Sequence, residues 1–102
     1  EIFKYIYIIV TMTDTATVLK SLADDTRLSI VRKLAHDDCE VAASEVISGC
    51  AFALKLSQPA MSHHFGKLVA SGVVQERKVG VEKRYQLNRE LLIQHGIDAD
   101  KL

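Results

Sequence analysis

The chain holds 102 residues, 48 % of them hydrophobic and 25 % charged, with 13 basic and 13 acidic side chains. That length is one domain with a modest core, and the balance is globular rather than disordered. Two cysteines are too few for a secreted disulfide framework and no secretory signal with a cleavage site is visible, so a cytoplasmic protein with reduced thiols is expected.

Residues 1–12 are aromatic and β-branched, which favours a strand, although Ile2, Ile6 and Ile9 also fit a helical period. The apolar run at 6–10 is too short to span a bilayer. Met12 opens Met-Thr-Asp-Thr, a sequence suited to a natural start, so 1–12 reads as an N-terminal apolar extension and 13–102 as the domain. Asp14 or Thr15 caps a first helix running to about Ala23, with Val18, Leu19 and Leu22 on one face. Asp24 or Asp25 caps a second over 26–36, where Leu28, Val31, Leu34 and Ala35 recur at helical spacing, and Asp37-Asp38 ends it. A third helix is expected over 42–48 with Ala43, Val46 and Ile47 inward and Gly49 as its left-handed end. Cys50 to Leu56 reads either as its continuation or as an apolar connector.

Ser57 is a strong N-cap for a fourth helix, since Pro59 falls in the first turn, where a missing N–H is harmless. Met61, Phe65, Leu68 and Val69 form its buried stripe. Gln58, Ala60, Ser62, His63 and Lys67 are left on or near the outer face. Gly72 stops the helix. Residues 73–78 and 83–87 make two strands around a turn containing Gly80, and Asn88 caps a short last helix from Arg89 to about His95. This order describes a mainly α fold with a small β-hairpin wing, a winged helix-turn-helix.

The charge is zero only in sum. Residues 1–54 carry five basic and eight acidic side chains, 55–89 seven and two, and 90–102 one and three. Phosphate binding responds to the local patch, and the basic stretch coincides with the fourth helix and the hairpin. A helix entering the major groove needs a narrow, polar, short-chained face. Gln58, Ser62 and His63 donate or accept at base edges, and Ala60 suits a thymine methyl. The free N–H groups at the helix N-terminus suit a phosphate. Lys67, Arg77, Lys78, Lys83 and Arg84 would supply affinity along the backbone or in the minor groove rather than sequence choice.

Four stretches carry a family likeness: Leu22-Ala-Asp-Asp-Thr-Arg-Leu-Ser-Ile-Val-Arg-Lys-Leu-Ala35, Leu56-Ser-Gln-Pro-Ala-Met-Ser-His-His-Phe65, Lys67-Leu-Val-Ala-Ser-Gly-Val-Val74 and the wing closing on Tyr85-Gln-Leu87. In this order they resemble the ArsR/SmtB family of small bacterial winged-helix repressors. The resemblance implies a homodimer built from the first and last helices that binds a palindromic, inverted-repeat operator in double-stranded DNA and represses transcription. Two-fold symmetry suits such a site, with the reading helices about one DNA turn apart. It also implies that Gln58, Ala60, Ser62 and His63 occupy base-reading positions, with His64 on the inner shoulder of the same helix. Many members hold soft metals on a Cys-x-Cys at the start of the third helix; those positions fall on Ala42 and Ser44. Others bind zinc on the last helix, but Asn88, Glu90, His95 and Asp98 lack that spacing. No metal site and no cofactor are therefore expected.

Cys39 and Cys50 are candidates for a thiol switch if the third helix folds back, against the commoner reading of a loop residue and a small core hydrophobe. The adjacent His63 and His64 point to different helix faces and do not suit one ion; His64 reads as hydrogen-bonded and partly buried, His95 as surface. No phosphate loop, nucleophile motif or acid/base pair suggests an enzyme. Two alternatives remain: a metal- or thiol-responsive repressor using Cys39 and Cys50, and a winged helix used only for protein–protein contact, which would not need the cations together.

Overall fold

In the computed structural model the described residues are 15–102; the apolar extension at 1–12 and the alternative cap Asp14 lie outside them. Residues 15–22 are helical (α1). Asp24, extended at φ −159°, is the cap of α2 (Asp25–Asp37), its side chain accepting from the Arg27 backbone N–H at 3.0 Å. Asp38 closes α2 in the left-handed region at φ 49°, returning its N–H to the Leu34 carbonyl. A two-residue strand β1 (Val41–Ala42) leads into α3 (Ala43–Leu54), and α4 (Gln58–Ala70) follows. The wing is β2 (Val74–Val79) and β3 (Glu82–Leu87), after which come α5 (Arg89–Gln94) and a 3-10 turn, Ala99–Lys101. The sheet is antiparallel throughout, in the order β1-β3-β2.

Three local expectations change. Gly49 lies inside α3 and not at its end: the helix runs on to Leu54, and Lys55 takes the left-handed position at φ 57°. Val46, Cys50 and Ala51 continue the buried stripe past the glycine, so packing outweighs its entropic cost of about 1 kcal/mol. Strand β1 was not expected; two residues carry no period, and only pairing with Tyr85 and Arg84 makes them a strand. Leu19, expected on the inward face of α1, is 52 % exposed.

The core joins every layer. Ile30, Val31 and Leu34 of α2 meet Met61, Phe65 and Leu68 of α4, with Val73, Val74 and Leu92 closing it. Phe65 stacks on Tyr85 at 5.0 Å and 13°, which fixes α4 against the sheet. Asn88 caps α5 by accepting from the Leu91 N–H, and its amide donates to the Gly72 carbonyl, tying the two ends of the wing together.

Candidate nucleic-acid interface

Helix α4 is held from behind. Ser57 accepts from the Ala60 N–H at 3.2 Å, Pro59 occupies the first turn, and Met61, Phe65 and Leu68 are fully buried. That leaves Gln58, Ser62, His63 and Lys67 exposed along the opposite face, with Ala60 half-buried beside them. No carboxylate pairs with any of them among the described residues. This face is short-chained and unobstructed by the described part of the chain.

His64 turns the other way. Its Nδ1 lies 3.2 Å from Arg27 Nη1, a contact in which the guanidinium can only donate, and 4.0 Å from Asp24 Oδ1. Arg27 is buried and donates through Nε to the Ser21 carbonyl at 2.6 Å, while the Asp24 carboxylate lies 3.9 Å from Nη1. The Arg27 backbone N–H bond, helped by the Arg27 charge, holds the Asp24 carboxyl below the usual carboxylate range. One arginine therefore fastens the end of α1, the start of α2 and the shoulder of α4, directly behind His63.

The wing is built differently. Register places Arg77 opposite Arg84 and Lys78 opposite Lys83, two like-charge pairs that repel unless an anion intervenes. Alternation puts Arg77 and Arg84 on one face of the hairpin and Lys78 and Lys83 on the other, the face that carries Tyr85 and Leu87 into the core. Glu40, just before β1, reaches across β3 to grip Arg77 in a two-pronged bond, Nε–Oε2 2.8 Å and Nη2–Oε1 2.6 Å. Arg84 pairs with Glu82 at 3.2 Å and Lys83 with Glu76 at 3.7 Å. Lys78 alone of the four holds no carboxylate among the described residues. The bond from Arg77 keeps Glu40 below the usual carboxylate range. The wing cations lie together as their clustering in the sequence implies, whereas Glu40 carries no local signal because its partner is 37 residues away.

Arg89, part of the basic stretch, is structural. It donates to Asp38, to Asp100 and to the Ala35 carbonyl at the end of α2. Cys39 is exposed in the loop before β1; Cys50 is buried on α3, and that burial pushes its thiol up. His95 lies against α1, its Nδ1 2.7 Å from Thr15 Oγ1. Among the described residues no three His, Cys, Asp or Glu side chains converge as a metal site requires. Ala42 and Ser44 offer no sulfur where the family's soft-metal cysteines would stand.

Comparison with known proteins follows the same lines. The family model for bacterial regulatory proteins of the arsR family matches residues 24–76, from the cap of α2 into the wing. The chain belongs to the ArsR family. An arsenical resistance operon repressor of Staphylococcus xylosus is 38 % identical over 79 residues, covering 78 % of this chain and 70 % of the relative. Among solved structures, an ArsR-like transcriptional regulator from Rhodococcus sp. RHA1 superposes with a TM-score of 0.68 at 30 % identity, covering 84 % of this chain and 76 % of that one. The homodimeric winged helix-turn-helix DNA-binding domain Mb0332 from Mycobacterium bovis gives 0.65 at 26 % identity, with 83 % and 73 % covered. Like its ArsR-family relatives, this chain is a DNA-binding transcriptional repressor and not an enzyme. No helix among the described residues is long and apolar enough to cross a membrane.

Proposed function

We propose that this ArsR-family repressor acts as a homodimer on an inverted-repeat operator. Gln58, Ala60, Ser62 and His63 read base edges, while Lys67, Arg77, Lys78, Lys83 and Arg84 meet phosphates. The observation that carries this reading is the outward face of α4, exposed and free of ion pairs among the described residues, on a helix stapled from behind. A dimer is supported by apolar side chains left open on the first and last helices: Leu19 is 52 % exposed and Ile93 69 %. The Thr15–His95 contact sets those two helices side by side. The homodimeric M. bovis neighbour supports the same assembly. The protein works in the cytoplasm, where DNA is.

Neither metal nor thiol chemistry is part of this reading: the expected cysteine positions are Ala42 and Ser44, and Cys39 and Cys50 sit in unlike environments. The test is equilibrium binding to duplex DNA across a salt series, with the assembly state measured by sedimentation. A dimer with a steep salt slope is expected. A monomer, or a chain with no affinity for duplex at low salt, would favour the protein-contact alternative.

A further inference from the structure

A cationic recess lies on the flank of α4. A cavity of about 270 Å³ opens between α1, the start of α2 and the end of α4, lined by Thr17, Lys20, Ser21, Arg27, Lys67, Ala70 and Ser71. Three of these seven are cations. Thr17, Lys20 and Ser21 share one face of α1, and Ser71, the C-cap of α4, returns its N–H to the Lys67 carbonyl. Lys20 and Lys67 are exposed and hold no carboxylate among the described residues.

Arg27 is the fixed member, 8 % exposed. Its Nε and Nη1 are committed to the Ser21 carbonyl and to His64. Nη2 has no protein acceptor among the described residues, and no wholly buried side-chain polar atom lacks a partner, so Nη2 meets solvent. The Ser21 and Ser71 hydroxyls already donate to the Val18 and Leu68 carbonyls, which leaves the cations to meet any guest. Among the described residues one carboxylate, Asp24, stands near these three positive charges; it accepts from the Arg27 backbone N–H at 3.0 Å and lies 3.9 Å from the guanidinium. Among the described residues Lys20 and Lys67 are thus left uncompensated around a recess, and a planar guanidinium edge at its wall suits an oxygen-rich anion.

We propose that this cavity binds a tetrahedral oxyanion of the phosphate class. Held by Lys20, Arg27 and Lys67, the anion bridges α4 to α1 and α2, and Arg27 carries the contact to His64 beside the reading face. Two sources share this chemistry: a backbone phosphate of bound DNA, and a free inorganic anion. The cavity binds its anion whether or not the operator reading holds, because the first measurement uses no DNA.

That measurement is an amide-resolved NMR titration of the full chain with inorganic phosphate at matched ionic strength. Saturating shifts centred on Ser21, Arg27, Lys67 and Ser71 are expected. Lys20→Gln should weaken binding about fivefold, and Lys33→Gln, the same charge loss on α2 outside this cavity, should leave it unchanged. Shifts confined to the N-terminus of α4 or to the wing, failure to saturate, or equal weakening by both variants would overturn the proposal. A salt series on random duplex then separates the sources. A slope lowered by about one in Lys20→Gln assigns the site to a backbone phosphate, and an unchanged slope assigns it to a free anion.

Discussion

Helix α4 and the β2–β3 wing both present polar side chains to the same side of the function, but they differ in what those side chains already hold. On α4 the outward residues hold no carboxylate among the described residues, over Met61, Phe65 and Leu68, which are fully buried. On the wing three of four cations are engaged by Glu40, Glu76 and Glu82. A rigid, uncommitted face suits base reading, where geometry decides. A mobile charge that trades a carboxylate for a phosphate suits positioning, where the gain is small and independent of sequence. The net charge of the basic stretch thus overstates what is free to meet a phosphate, since Arg89 is also committed, to Asp38 and Asp100.

The contrast breaks first in the core. Phe65→Ala removes the stack on Tyr85 and the anchor of α4, and urea unfolding should show a loss of about 3–5 kcal/mol. Val81→Ser at the fully exposed wing tip should stay within about 0.5 kcal/mol. Next is His63→Ala, expected to lower operator affinity by about 1–3 kcal/mol while sparing random duplex, as read by fluorescence anisotropy. Equal loss on both would remove His63 from base reading.

The wing should answer in the opposite sense to a change of its carboxylate. Glu40→Gln frees Arg77, so all duplexes bind more tightly and the salt slope steepens by about one; Arg77→Ala weakens all duplexes and flattens it. Weaker binding in Glu40→Gln would mean that the carboxylate positions the wing rather than competing for it. Acid tests the same pair together with the α2 cap. Glu40 and Asp24 both titrate below their ordinary range when folded, so their stabilisation is complete above about pH 4.5 and fades as pH falls through the lowered values. Thermal melts of Glu40→Gln and Asp24→Asn should therefore converge on the wild type in acid. The smallest effect concerns the thiols: an alkylating reagent should modify exposed Cys39 well before Cys50, whose burial disfavours thiolate. Faster labelling of Cys50 would reopen the thiol-responsive reading.

Much of this was legible in the residues because local chemistry decides it. Asp24, Ser57 and Asn88 cap where a short polar side chain precedes an apolar period, and Gly80 turns the wing at φ 65°. His64 as a hydrogen-bonded, half-buried residue was also readable from the helix faces. What escaped were long-range features. Strand β1 exists only through its partner, α3 ignores Gly49 because Cys50 and Ala51 are buried beyond it, and Glu40 grips Arg77 across β3. Leu19 reads as core by period, yet it stays open on α1.

Selection of binding sites from a randomised duplex pool tests the division between α4 and the wing most directly. The wild-type chain should enrich a two-fold symmetric motif. A variant carrying Arg77→Ala and Arg84→Ala should enrich the same motif at lower yield, and His63→Ala should lose preference at one position in each half. A wing variant that shifts the motif, or a His63→Ala chain that enriches it unchanged, would contradict the account.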